Sequence, residues 1–181
     1  YYVHQSQNSA NYRHFFKHNI TLDAGVDYNI EVAKAEEYKA NVLRQRGAAF
    51  VGAKYSVKNI VFNVTARQEM LKAKYIRPQL GIHVSYTDNK SIFTSTLSYA
   101  DKFRLPDFND LYWQPGGNKN LLPENGFSVE YSFKIQPLKK TSMYLMILSS
   151  AVYYSIINNN IVWSPIVSGL YSPQNIKKTR H

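Results

Sequence analysis

Few residues in this chain combine in ways that could do chemistry. His14 and His18 stand four apart in HFFKH. On a helix such a pair can ligate zinc, with a glutamate beside the first histidine as general base. Here that glutamate is missing, and the segment precedes an alternating stretch, so a turn beside a strand is expected. His83 is isolated among alternating residues and is expected to be a polar lining residue. Gly116-Gly117 is no phosphate loop, because no Lys-Ser/Thr follows in register. Asn19-Ile20-Thr21 and Asn63-Val64-Thr65 match a glycosylation pattern by chance, inside strands. With no cysteine in 181 residues, disulfides and thiolate metal sites are excluded. No catalytic group, metal site or cofactor is expected.

One stretch stands apart. Residues 103–124 read FRLPDFNDLYWQPGGNKNLLPE. The run is too rich in glycine, proline and polar side chains for a core element, and too particular for an idle loop. What positions it must be sought in the flanking pattern.

That pattern has period two. In NITLDAGVDYNIE (19–31), Ile20, Leu22, Ala24, Val26, Tyr28 and Ile30 alternate with polar residues or glycine. One face is apolar and the other polar, which predicts a strand. Strands of soluble proteins span about 5–6 residues, whereas a tilted membrane-spanning strand needs roughly 9–11. The alternation returns at 60–67, 80–87 and 127–135. It is weaker at 48–56, where Phe50 falls on the polar side, and at 91–100. At 142–154 both faces are apolar, and the outward side is open. Asp23, Asp27, Asn29, Arg67, His83, Glu130 and Lys134 fall on the polar face. Short turns are expected at 56–59, 87–90 and 136–141, the second with Asp88-Asn89 turn chemistry. Longer polar loops are expected near 33–46, 68–79, 101–126 and 155–173. The first of these, AKAEEYKANVLRQR, holds good helix formers without an apolar stripe. It is expected to be a loop with a helical turn, or strand extensions above a membrane.

Composition narrows the class. The chain carries 15 Tyr, 9 Phe and 2 Trp, and a formal charge of +10. Amphipathic aromatics gather where one side is greasy and the other wet. The basic residues are scattered, with no basic helix and no aromatic RNA-binding motif, so nucleic acid is not an expected partner. No apolar run approaches the ~20 residues of a membrane helix. Alternation alone fits a membrane barrel and a soluble β-sandwich equally. Strand length, tyrosines and the alternation of short turns with long loops favour the barrel.

The stretch 103–124 adds a resemblance. Phe103, Arg104, Pro106, Asn109, Leu111 and Tyr112, followed by Gly117, Asn118, Leu121, Pro123 and Glu124, resemble a two-part signature late in the barrel of TonB-dependent outer-membrane receptors. There the form is F-R-x-P-x-x-N-x-L-Y and then G-N-x-x-L-x-P-E. Leu105 and Lys119 are minor departures. Residues 156–178 (IINNNIVWSPIVSGLYSPQNIKK) resemble the part that follows, and the upstream strands fit those that precede. The likeness covers nearly the whole chain and is nearest the cobalamin- and siderophore-receptor type.

What the resemblance implies is an all-β fold: about seven to eight meandering antiparallel strands of an up-and-down transmembrane barrel. Residues 1–181 would form part of one barrel domain, with the plug and remaining strands outside it; such receptors close about 22 strands around a plug. The implied function is TonB-energised uptake of a scarce nutrient across the outer membrane of a Gram-negative bacterium. Implied partners are the TonB complex through the plug, outer-membrane lipid and lipopolysaccharide, and a small-molecule nutrient; no enzymatic activity is implied. Within the signature, Pro106 and Pro123 suit strand exits, Gly116-Gly117 a sharp reversal, and Arg104 a pairing with carboxylates of plug or wall. Tyr112 and Trp113 are candidates for ligand contact, with structural bracing the main alternative. A plug-less pore and a soluble β-sandwich binding module remain the competing classes.

Overall fold

The alternating run at 19–31 becomes a strand longer than the run itself. In the computed structural model, which describes residues 2–39, 41–71, 74–136, 146–167 and 169–181, it forms the heart of β2 (Ile20–Lys34). Around it lie β1 (Tyr2–Phe16), β3 (Val42–Val57), β4 (Ile60–Leu71), β5 (Lys74–Tyr75), β6 (Gln79–Thr87), β7 (Phe93–Arg104), α1 (Phe108–Tyr112), β8 (Glu124–Ile135), β9 (Leu148–Val167) and β10 (Leu170–Arg180). All pair antiparallel in sequence order within one sheet, and the two-residue β5 pairs only with β4. This is an up-and-down meander of nine long strands. The count exceeds the expected seven to eight because the two chain ends are full strands.

The two faces of the sheet are inverted relative to a soluble protein. Val26 is 56% exposed, Val51 53%, Leu97 52% and Val152 72%, whereas Asn29 and Glu69 are each 7% exposed. The apolar face is therefore outer and the polar face inner, and no second sheet covers the apolar face among the described residues. That arrangement removes the β-sandwich reading, in which the apolar face would pack inward. From Ile20 to Ile30 the outward band of β2 covers about 33 Å of strand, or about 25 Å of depth at a tilt of about 40°. This matches a bilayer's hydrocarbon layer. The outer aromatics Tyr99, Phe127 and Tyr154 form a row toward one end, with Tyr99 stacked on Phe127 at 5.9 Å between ring centres. They mark where the apolar band gives way to polar residues.

The anomalous Phe50 has a packing reason. It faces inward opposite Gly25, and a Cβ on Gly25 would stand 2.7 Å from the Phe50 ring. Phe50 therefore occupies the space the glycine leaves empty.

The connections follow the expected asymmetry, with corrections at the long ends. His18 and Asn19 have φ of 64° and 59° in the β1–β2 turn, and Lys58 has 48° in the β3–β4 turn. Asp88 accepts the N–H groups of Phe93 and Lys90, which closes the β6–β7 turn. The turn expected at 136–141 lies mostly outside the described residues, as do 142–145 of the ambiguous apolar run. Beyond them β9 places Leu148, Val152, Tyr154 and Ile156 outward, in register with Ile135, Tyr131, Val129 and Phe127. At 33–46 both expected forms coexist, since strand extensions flank a 3₁₀ turn at Glu36–Tyr38. At 68–79 the ladder runs on to Leu71, β5 pairs back onto its end and β6 begins at Gln79, so the loop is shorter than expected. The loop expected at 155–173 is wrong: β9 continues to Val167 and β10 begins at Leu170. Above the bilayer no lipid selects an apolar face, so the Asn-rich extension carries no alternation to read.

Candidate functional site

Arg104 ends β7 on the inner face, and its guanidinium grips Glu124, the first residue of β8. Nη2 lies 2.7 Å from Oε1 and Nε 2.9 Å from Oε2. This two-pronged pair closes the base of the intervening segment. Glu124 Oε1 also accepts the Ile161 N–H of β9 at 2.7 Å. The Arg104 bonds hold the Glu124 carboxyl below its ordinary range, aided by the Ile161 N–H and opposed by partial burial.

From that base the segment turns back over the inner face. Asp107 and Asp110 form a reciprocal capping pair at the start of α1, with Asp107 N–H donating to Asp110 Oδ2 at 2.9 Å. Asp110 is buried, takes the indole N–H of Trp163 (β9) at 2.9 Å, and lies 3.6 Å from Arg104. Asp110 thus joins the strand end, the helix and β9.

Across the sheet, α1 meets the β2–β3 tip. Phe108 and Tyr112 pack on a buried cluster of Ala33, Ala35, Tyr38 and Val42. The Tyr38 hydroxyl donates to Asn109 Oδ1, Arg44 donates to the Pro106 carbonyl at 2.6 Å, and Gln114 N–H donates to Glu37 O at 3.1 Å. Arg44 also lies over the Phe108 ring, 4.5 Å from its centre. An ionic ladder climbs the inner wall to this point: Asp27–Arg67 (2.7 Å), Arg67–Glu69 (2.8 Å), Glu69–Arg46 (4.0 Å), Arg46–Glu31 (3.6 Å) and Glu31–Arg44 (3.8 Å). The polar face of β2–β4 is therefore a paired wall that supports the helix.

The second half of the signature fastens to β10. Asn118 donates to the Pro173 carbonyl at 3.1 Å, and Asn175 exchanges bonds with the backbone of Leu122 at 2.8 and 2.9 Å. Leu121 is buried. Pro106 and Pro123 lie just outside β7 and β8, where a missing N–H interrupts no ladder. The glycines act differently from expectation, since neither has positive φ. A Cβ on Gly116 would come 2.2 Å from Tyr171 O, and one on Gly117 2.6 Å from Trp113 O. Close approach, rather than backbone freedom, requires glycine here.

Phe103 faces the outer side, by its register opposite Asn125. Tyr112 is half-buried against Tyr38, with Lys119 Nζ 5.5 Å from its ring centre. Trp113 is 37% exposed. A cleft of about 370 Å³ opens between α1 and the wall, bordered by Gln5, Glu31, Arg44, Phe108 and Asn109. The sequence pattern missed Tyr38, Arg44 and Asp110 as anchors. Only the Asp107-x-x-Asp110 spacing offered a local signal, that of a capping box. His14 lies on β1 between Tyr12 and Phe16, and His18 lies in the following turn. His83 faces inward and bonds Ser98 at 3.1 Å.

Comparison with known proteins decides the family. The model described as "TonB dependent receptor-like, beta-barrel" matches residues 1–181. The chain belongs to this family. Among curated relatives, the vitamin B12 transporter BtuB of Vibrio vulnificus is 30% identical over 170 residues, covering 89% of this chain and 26% of the relative. BtuB of Photobacterium profundum is 38% identical over 78 residues, 41% of this chain and 12% of the relative. The TonB-dependent barrel fold recurs in the siderophore receptor PirA of Pseudomonas aeruginosa (TM-score 0.77, 15% identity), covering 97% of this chain and 34% of PirA. It recurs also in the Serratia marcescens hemophore receptor HasR (TM-score 0.74, 11% identity), covering 98% of this chain and 38% of HasR. The chain thus spans about a quarter of the longer-matching curated relative and about a third of these solved barrels.

Proposed function

We propose that residues 1–181 are part of the barrel wall of an outer-membrane receptor that takes up a scarce nutrient, such as cobalamin or a metal–siderophore, with energy delivered through TonB. The carrying observation is the inverted sheet of a TonB-dependent receptor barrel, with its 104–124 segment folded back across the inner face. A plug domain and further strands would complete the receptor, and contact with TonB would run through the plug. Outer-membrane lipid and lipopolysaccharide would surround the apolar face. The family is one of receptors and transporters, so the chemistry expected of this wall is binding rather than bond-making.

Within the signature we assign two roles. Arg104, Pro106, Asn109, Gly117, Asn118, Leu121, Pro123 and Glu124 brace the segment against β2–β3 and β9–β10. Tyr112 and Trp113 contact ligand. The exposure of Trp113 supports the second role.

The test is uptake of labelled cobalamin and ferric siderophores by cells carrying the intact receptor as their sole such protein, with and without functional TonB. Accumulation that requires TonB supports the proposal. Failure with every nutrient, together with steady ion conductance in planar bilayers, would instead establish a plug-less pore. Trp113→Ala is expected to weaken nutrient binding about tenfold, near the ~1.4 kcal/mol of a modest aromatic contact, while surface expression holds.

A further inference from the structure

Lys119, like Leu105, departs from the signature that the 103–124 segment resembles, and nothing in the backbone asks for a lysine there. The turn around it is held by its neighbours. Asn118 N–H donates to Asp110 O at 2.8 Å, Asn118 Nδ2 to Pro173 O at 3.1 Å, and Asn120 N–H to Asn118 Oδ1 at 3.0 Å. The Lys119 N–H donates to no acceptor among the described residues. Even proline, which lacks that N–H, would leave these bonds in place. What sets the lysine apart is its side chain.

The same turn carries that side chain to two aromatic residues. Gly117 N–H donates to Trp113 O, and a Cβ on Gly117 would stand 2.7 Å from Trp113 N and 2.9 Å from Tyr112 N. The turn is thus pressed onto the Tyr112–Trp113 backbone, and Lys119 Nζ comes over the Tyr112 ring, 5.5 Å from its centre. That is near the outer limit, about 6 Å, of a cation–aromatic contact, so the ring holds the ammonium weakly. Lys119 is exposed and has no carboxylate within salt-bridge distance among the described residues. The carboxylates of its own segment are engaged elsewhere: Asp107 and Glu124 with Arg104, and Asp110 with Arg104 and the Trp163 indole.

A weakly held ammonium over one aromatic ring, with the exposed Trp113 adjoining, has a definite complement. We propose that Lys119 selects the nutrient by charge: the receptor takes a metal chelate with negative oxygen groups, carboxylate or catecholate, at its surface, in preference to an uncharged one. The ammonium pairs with such an oxygen while Trp113 packs on the chelate's carbon skeleton. The formal charge of +10 on the chain favours the approach of the same class. The inference rests on the uptake reading and names the substrate class within it.

The experiment measures the Kd of the intact receptor in detergent for an anionic ferric tricatecholate, an uncharged ferric trihydroxamate and cyanocobalamin. The tricatecholate is expected to bind most tightly, with an affinity that falls as salt rises. Lys119→Met keeps the stem and removes the charge. It should weaken the tricatecholate about fivefold relative to the trihydroxamate and flatten the salt dependence, and Lys119→Arg should restore both. A merely structural lysine would instead lower every affinity together and speed hydrogen exchange at α1. That pattern, tightest binding of an uncharged probe, or a tricatecholate affinity unmoved by Lys119→Met would each overturn the inference. If cyanocobalamin binds and the tricatecholate does not, the uptake reading stands and the charge selection falls. If none of the probes binds, the uptake reading falls with it.

Discussion

Glu124 is the residue on which the bracing of the 104–124 segment can be tested most sharply. Its carboxylate makes two bonds to Arg104 and one to the Ile161 N–H, and its side chain is 10% exposed. Glu124→Ala removes all three and leaves a buried N–H without its acceptor. Bonds to charged groups contribute about 1.5–3 kcal/mol each, and an orphaned buried donor costs about 1–3 kcal/mol. Arg104, however, is 42% exposed and keeps Asp107 at 3.3 Å and Asp110 at 3.6 Å. Screening and these surviving partners place the net loss near the lower end, about 3 kcal/mol. Hydrogen exchange in the intact receptor reports it directly. The N–H groups of Leu111, Trp113 and Asn118 bond Asp107 O, Asn109 O and Asp110 O. If the segment opens as a unit, their exchange should accelerate on the order of a hundredfold, while mid-strand amides of β2 stay protected. Glu124→Gln keeps an acceptor for Ile161 and should cost about half as much. Unchanged protection at these three amides in Glu124→Ala would refute the claim that the Arg104–Glu124 pair holds the segment down.

Acid should act on the same pair. The folded Glu124 carboxyl titrates below its ordinary 4.5, so its contribution is complete above about that pH and is lost as pH falls through the lower folded value. Exchange at α1, corrected for intrinsic rate, should therefore rise as pH falls below that ordinary value, and Glu124→Gln should abolish the part of the dependence that this carboxyl carries. In the wall, Gly25→Ala should destabilise by about 1–3 kcal/mol through overpacking, and Phe50→Ala should relieve only part of that cost in the double variant, because Asn11 Oδ1 would also stand 2.5 Å from the new Cβ. On the outer face, Val51→Arg should cost about 2–4 kcal/mol in refolding into bilayers, whereas Ala48→Arg, on the inner face, should cost less.

How much was legible beforehand differs between wall and site. Lipid on one side and a polar interior on the other impose period two, so β2, β4, β6 and β8 could be read residue by residue, including the inward placement of Asp27, Arg67 and His83. Where lipid ends, the constraint ends. The β9–β10 extension, rich in asparagine, reads as a loop because nothing outside it demands an apolar face. The 142–154 run failed for the opposite reason, since apolar residues on both faces hid which side was outer. Register with β8 placed Val152 and Tyr154 outside, alongside Tyr131 and Val129.

By itself the sequence determined the strand pattern and a family resemblance, because alternation and the FRLPDFNDLYW…GNKNLLPE signature are local and survive without coordinates. The resemblance also marked Pro106 and Pro123 as strand exits and Arg104 as a partner for carboxylates. Only the tertiary structure decided what the signature is tied to. Tyr38, Arg44 and Trp163 reach it from 53 to 71 positions away. No periodicity encodes such contacts, which arise when a meander brings β2–β3 and β9–β10 to the same segment. The glycines make the same point: Gly116 and Gly117 were read as a reversal, yet what requires them is a carbonyl oxygen close to each missing Cβ, one from Tyr171 and one from Trp113.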